Sequence, residues 1–248
     1  MAGHSQFKNI MHRKSAVDAK RSRAFSKHAR LIMTAARTGG ADPATNLNLR
    51  YAIDRARDEN MTNDAIERAI KNGAGKGEGA GLESLTYEGY GPGGVAILID
   101  ALTDNRARTI GEVRQAVEHN GGSLGAAGSV AWNFERRGVF LVPGRPDQEE
   151  ALLEIALEAE ADDCTRVDEG FEITSDPARF AQVKDALVKK GFKPEKSEIG
   201  WVPKATVQLG AEQVTQLVAL INALDELDDV QGTATNLEWT DAALAALG

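Results

Sequence analysis

The sequence holds a single cysteine, Cys164, among 248 residues. One thiol cannot form an internal disulfide, and it excludes a cysteine-rich zinc site. Histidine is also scarce: His4, His12, His28 and His119 show no metal-ligand spacing, so no metal site is expected. No apolar run approaches the roughly 18 residues of a membrane span. The small, basic N-terminus lacks the apolar stretch of a secretory signal. The expectation is a cytoplasmic protein with no membrane partner. What is present, 42% hydrophobic and 27% charged residues, is a globular composition long enough for one to three domains.

A formal charge of -8 argues weakly against a polyanionic partner, but the average conceals its distribution. Residues 1–37 hold nine basic side chains (Lys8, Arg13, Lys14, Lys20, Arg21, Arg23, Lys27, Arg30 and Arg37) against Asp18 alone, a local charge of +8. Residues 141–248 hold nine basic and 22 acidic side chains, a local charge of -13.

From Ala16 to Arg37 there is no Gly or Pro. Phe25, Ala29, Ile32 and Ala36 recur at helical spacing on one face, and Lys20, Arg23, Lys27 and Arg30 project from roughly the opposite one. Thr38-Gly39-Gly40 stops this helix, and Pro43 suits the first turn of the next. Leu49, Ala52, Ile53 and Ala56 give the second helix its apolar stripe. Thr62 can cap a third, with Ala65, Ile66, Ala69 and Ile70 inward and Asn72-Gly73 at its end. Glycine at every odd position from Gly73 to Gly81 then predicts a flexible linker.

Beyond the linker the periodicity alternates between strand and helix. Leu82–Tyr90 and Val95–Leu102 read as a hairpin across Gly91-Pro92-Gly93-Gly94, followed by a helix over Thr109–Asn120 and a strand over Val130–Phe134. Residues 138–202 then read β-α-β-β-α-β, the split βαβ or ferredoxin-like arrangement, with a hairpin across Glu169-Gly170. The remaining strand (Thr206–Leu209), helix (Val214–Leu227) and strand (Gly232–Leu237) would complete the middle unit. The expected fold is therefore α+β, an N-terminal three-helix domain followed by two α/β domains. The last is a ferredoxin-like unit inserted into the middle one. The boundaries are 1–81 for the basic helical domain with its arm and linker, 82–134 plus 205–248 for the middle domain, and 135–204 for the insertion.

Chemistry-bearing motifs are weak. Gly75-Lys76-Gly77 lacks the Ser or Thr of a phosphate loop, and a strand rather than a helix follows Gly89–Gly94. Ser129 lacks the strained elbow of a serine nucleophile. Asp162-Asp163 and the acidic run over 225–229 read as solvated helix ends rather than a calcium loop. No catalytic constellation and no cofactor are expected.

The basic N-terminus is what survives. Met1–Ser15 reads as an extended arm bearing Lys8, Arg13 and Lys14, and the helix behind it adds Lys20, Arg21, Arg23, Lys27 and Arg30. Such a combination can track a phosphate backbone, each contact releasing counterions. His4, Phe7 and His12 lie among the cations and could stack on unpaired bases. Arg106 and Arg108, between a strand and a helix, admit two readings: a second phosphate contact, or a loop in which Thr109 or Asp104 caps the helix.

Long stretches of the sequence also resemble the YebC family. They are Met1-Ala-Gly-His-Ser-Gln-Phe-Lys-Asn-Ile-Met-His-Arg-Lys14, Asp18-Ala-Lys-Arg21, Tyr87-Glu-Gly-Tyr-Gly-Pro-Gly-Gly-Val-Ala96, Thr103-Asp-Asn-Arg106, Gly121-Gly-Ser-Leu-Gly125 and Gly128-Ser-Val130. The resemblance implies three domains and a non-enzymatic, cytoplasmic protein that binds nucleic acid. By the family's label it implies a DNA-binding transcriptional regulator. The alternative, suggested by mitochondrial relatives that are translational activators, is a ribosome-associated factor that binds ribosomal RNA. Under either, the acidic domains could contact the ribosome or other proteins.

Overall fold

The computed structural model describes residues 18–75, 81–167, 170–240 and 243. The helical region consists of α1 (Asp18–Gly39), α2 (Leu47–Asp58) and α3 (Asn63–Ala74). Their apolar stripes form one core: Ile32, Ala36, Leu49, Ile53, Ala56, Ile66 and Ala69 are buried, with Phe25, Ala29, Ala65 and Ile70 packed at its margin. Gly73 lets α3 approach α1 closely, since a Cβ there would stand 2.3 Å from the Met33 carbonyl oxygen.

Caps fix the helix boundaries. α1 ends at Gly40, whose φ of +90° suits glycine. The second helix starts at Leu47, four residues after Pro43, rather than at that proline. Asn46 is the reason. Its amide donates to the Ala35 and Gly40 carbonyls at 2.8 and 2.7 Å, and its Oδ1 accepts from the Leu49 amide at 3.1 Å. One side chain thus closes α1 and opens α2. Thr62 caps α3 through the Ala65 amide, as its sequence position predicts.

The described residues divide into two compact units, 18–131 with 210–235, and 132–209 with 236–240 and 243. In the first, β1 (Glu83–Tyr90) and β2 (Ala96–Thr103) pair as an antiparallel hairpin, α4 (Arg106–His119) follows, and β3 (Ser123–Leu124) adds to the outer edge of β1. The chain returns as α7 (Ala211–Asp225) and β8 (Val230–Thr235), and β8 pairs with β2. The sheet order is β3-β1-β2-β8, so its last strand comes from more than a hundred residues later in the chain.

The second unit is built from β4 (Phe134–Pro143), α5 (Glu149–Glu158), β5 (Asp163–Val167), β6 (Gly170–Ser175), α6 (Phe180–Lys189) and β7 (Lys196–Pro203). Its antiparallel sheet has the order β5-β6-β4-β7, which with two helices is the ferredoxin-like arrangement. Phe140 of β4 stacks on Phe180 of α6 with ring centroids 4.8 Å apart.

Three sequence expectations differ from these elements. In place of a strand over Val130–Phe134, Val130 is a bend and Ala131–Asn133 a short 3-10 helix, and β4 begins only at Phe134. The polar Glu135-Arg136-Arg137 stays in the strand because each side chain finds a partner. Arg136 lies over the Trp201 ring at 4.6 Å, and Arg137 pairs with Glu135 at 3.1 Å and with Asp162. Thr206–Leu209 contributes only a parallel bridge, Val207 to Leu237, and not a strand. β8 correspondingly ends at Thr235. Of the expected linker Gly73–Gly81, Gly73 and Ala74 belong to α3 and residues 76–80 lie outside the described residues, as does Glu169 of the expected Glu169-Gly170 turn.

Candidate nucleic-acid interface

The basic helix positions its cations by the same 3.6-residue repeat that buries Ile32 and Ala36. Lys27 and Arg30, one turn apart, share a face of α1. That face meets the C-terminal end of α7 and the turn after it. Lys27 Nζ donates to the Asp225 carbonyl at 2.7 Å, and Arg30 Nη1 to the Asp228 carbonyl at 3.0 Å. Unsatisfied carbonyls at a helix C-terminus carry partial negative charge and attract cations.

Arg30 Nη1 also reaches Asp229 Oδ1 at 3.1 Å. Asp229 is 4% exposed, although the acidic run around it reads as solvated in the sequence. Its other oxygen, Oδ2, accepts from Arg108 Nη2 at 2.6 Å, Thr109 Oγ1 at 2.7 Å and Thr103 Oγ1 at 3.0 Å. Burial pushes this carboxyl upward, but the Arg108, Thr109 and Thr103 hydrogen bonds and the Arg108 charge outweigh it and hold it below its ordinary value. A buried carboxylate with four donors stays ionised at neutral pH.

Both predicted loop arginines are thereby placed. Arg108 bonds to Asp229 and to Asp104 at 3.0 Å, and these bonds raise its affinity for its proton. Arg106 pairs with Glu83 across the end of β1. The cap of α4 is neither Thr109 nor Asp104 but Asn105, whose Oδ1 accepts from the Arg108 amide at 3.1 Å. Thr109 instead turns inward to the carboxylate. A cleft of about 810 Å³ opens beside this cluster, lined by Arg30, Arg108, Asp104, Glu112, Glu226 and Asp228 among others.

Lys20, Arg21 and Arg23 fall on the first turns of α1, and their side chains lie outside the described part of the molecule. So does the whole arm with His4, Phe7, Lys8, His12, Arg13 and Lys14. Of the candidate contacts, the structure therefore brings together Lys27, Arg30 and Arg108 at the turn over 225–229, and pairs Arg106 with Glu83.

Sequence reasoning passes over two carboxylates. Asp229 is one. Glu88 is the other: it accepts from the backbone amides of Gly128, Val130 and Ala131 at 2.6, 2.8 and 2.8 Å. Burial raises its pKa, and these three bonds more than reverse the effect. It thereby ties the loop after β3 to β1. Ser129 serves this loop through its carbonyl, which accepts from Tyr90 Oη at 3.2 Å.

His28, on the helix core side, is 8% exposed and its pKa falls to about 4, through burial first and then the Arg55 and Lys27 charges. The Cys164 thiol is pushed up to about 11, by burial and then by Asp163 and Glu149, so it is protonated at neutral pH. Among the described residues no group of three or more His, Cys, Asp or Glu side chains could hold a metal ion. No described helix is long and apolar enough to cross a membrane.

Comparison with known proteins places this geometry. Residues 5–76 match the model of the TACO1/YebC protein N-terminal domain, and residues 82–237 that of the TACO1/YebC second and third domain. A probable transcriptional regulatory protein of Thermoanaerobacter pseudethanolicus is 46% identical over 242 residues, 97% of this chain and 98% of its own. One from Shewanella oneidensis is 47% identical over 250 residues, covering both chains in full. The crystal structure of a conserved hypothetical protein from Aquifex aeolicus superposes with a TM-score of 0.81 at 46% identity, covering 92% of this chain and 94% of that one.

Proposed function

Because the chain belongs to the TACO1/YebC family, we propose that it is a cytoplasmic, non-catalytic regulator of gene expression that binds nucleic acid through its basic N-terminal region. The observation that carries this reading is the charge layout: nine cations against one acid in residues 1–37, and a net -13 over residues 141–248. A polyanion is drawn to the first segment and repelled by the second. The contacting residues are the arm with His4, Phe7, Lys8, His12, Arg13 and Lys14, together with Lys20, Arg21, Arg23, Lys27 and Arg30 of α1. Arg106 and Arg108 drop to a supporting role, since their charges are met by Glu83, Asp104 and Asp229.

By the name its relatives carry, the activity is transcriptional regulation, which on this reading acts through DNA. Three domains serve it: the basic helical segment 1–81, the sheet domain of 82–134 with 205–248, and the ferredoxin-like insertion 135–204. A second reading, an RNA-binding translation factor on the ribosome, is favoured by one feature. Base readout in duplex DNA needs a helix or ribbon aimed into a groove, whereas Lys27 and Arg30 are directed at an acidic turn. Backbone contact without sequence choice suits structured RNA equally well.

Sedimentation of native lysate on a sucrose gradient, with and without nuclease, separates the two. Comigration with ribosomal subunits supports the translational reading and defeats a purely transcriptional one. Sequence-selective duplex binding at physiological salt does the reverse.

A further inference from the structure

Two cations assigned to nucleic acid are already occupied within the chain, and the manner of their occupation distinguishes them from Arg108. We infer that the turn over 225–229 is an intramolecular stand-in for phosphate: it latches the cationic face of α1, and a polynucleotide must displace it to reach Lys27 and Arg30. This rests on the nucleic-acid reading above and specifies how that site is controlled.

The geometry of Asp229 carries the inference. Its buried Oδ2 is held by Arg108, Thr109 and Thr103, all from the start of α4 or the end of β2. Arg30 takes only Oδ1, at 3.1 Å against the 2.6 Å of Arg108 to Oδ2. Withdrawal of Arg30 therefore leaves the carboxylate with three donors, and no buried charge is orphaned. Withdrawal of Arg108 would break the shortest of these bonds, 2.6 Å, and leave Oδ2 with two neutral hydroxyls and no cation, the costlier loss for a buried carboxylate. The remaining latch bonds, Lys27 to the Asp225 carbonyl and Arg30 to the Asp228 carbonyl, end on groups at a helix terminus that water can satisfy.

The stand-in is electrostatically apt. Two backbone carbonyls and a carboxylate oxygen face two cations one helical turn apart, with Glu226 and Asp228 exposed beside them. Arg30 is partly exposed and its carboxylate keeps a second cation in Arg108, so a polyanion that gains by counterion release can compete for Lys27 and Arg30. The latch then tunes affinity and disfavours short or weakly charged ligands.

The test is a cycle of binding measurements on the full chain with a fluorescein-labelled single-stranded RNA, and in parallel with duplex DNA. Variants are Asp229→Asn, the exposed pair Glu226→Gln/Asp228→Asn, and two controls of equal charge change away from the turn, Glu118→Gln on α4 for the first and Glu150→Gln/Glu154→Gln on α5 for the second. Each is made alone and combined with Lys27→Gln/Arg30→Gln, with thermal melting as the fold control. The latch predicts that the turn variants bind about three- to tenfold tighter than the parent, that the two controls do not, and that the gain vanishes when Lys27 and Arg30 are replaced. A gain equal to that of the matching control, or one that persists without Lys27 and Arg30, is a bulk-charge effect and overturns the latch. Should Asp229→Asn fail to fold, the exposed pair decides between the same two outcomes. Turn variants that bind no tighter than a parent that binds well overturn the latch and leave the nucleic-acid reading standing. Binding seen only in the turn variants supports the latch, and no binding in any variant overturns both.

Discussion

Arg30 and Asp229 stand 199 positions apart in the chain and 3.1 Å apart in the fold. The contact joins α1 to the turn before the last strand of the β3-β1-β2-β8 sheet. It also defines what Asp229 does, because its four donors come from α1, β2 and α4.

The carboxylate and the arginine on its Oδ1 should differ in consequence. Replacing Asp229 by Ala removes the acceptor of Arg108 and of two buried hydroxyls, and should lower stability by about 3 kcal/mol. Replacing Arg30 by Gln should cost under about 1 kcal/mol. Urea denaturation checks both, and equal losses would contradict the hub.

His28 should make the protein acid-sensitive in a defined window. Its folded pKa of about 4 lies below the ordinary 6.5, because burial disfavours the charged ring. At pH 7 the ring is neutral in both states. Between pH 6.5 and 4 the unfolded chain takes up a proton that the folded one refuses, so stability falls as pH falls, by about 3 kcal/mol in all. Asp229, with its pKa held down in the fold, adds a further loss at still lower pH. A His28→Gln variant should flatten the melting-temperature profile across the upper window, and an unchanged profile would count against the assignment.

Gly73 inverts a common expectation. An Ala inside a helix normally stabilises it by about 1 kcal/mol relative to Gly. Here the added Cβ would lie 2.3 Å from the Met33 oxygen and 2.7 Å from its Cα. Gly73→Ala should therefore destabilise the helical region by about 2 kcal/mol as α1 and α3 are forced apart. Chemical denaturation followed by circular dichroism measures the sign.

Glu88→Gln should loosen the loop after β3. A neutral amide oxygen accepts more weakly than a carboxylate, and its NH2 group cannot accept at all. The amides of Gly128, Val130 and Ala131 should exchange with solvent faster by about tenfold or more, while amides of β2 hold their rate. Uniform change across the sheet would mean that Glu88 has no such local role.

Much of this architecture is legible in the residues because it rests on local rules. Phe25, Ala29, Ile32 and Ala36 lie on the core side of α1 as their spacing dictates, Thr62 caps α3, and the β-α-β-β-α-β order emerges from alternating periodicity. What escapes sequence reading is long-range and polar. Nothing near Asp229 in sequence announces that Arg30, Thr103 and Arg108 converge on it, so its run of acids resembles a solvated surface. Nothing near Glu88 announces three amides some forty residues away. The continuity of β4 is hidden for the same reason, since the Glu135-Arg136-Arg137 stretch is kept in the sheet by Trp201 and Asp162. Asn46 closes one helix and opens the next by contacts to Ala35 and Gly40 that no periodicity encodes.

The central claim, that the basic N-terminal region holds nucleic acid through its phosphates, is tested most directly by the salt dependence of binding. Lys8, Arg13, Lys14, Lys20 and Arg23 are replaced together by Gln, with Lys27 and Arg30 left in place, and affinity for single-stranded RNA is measured across a salt series. The account predicts weaker binding and a log–log slope shallower by about three to four, since each lost phosphate contact removes roughly 0.7 for a single strand. An unchanged slope and affinity would contradict it.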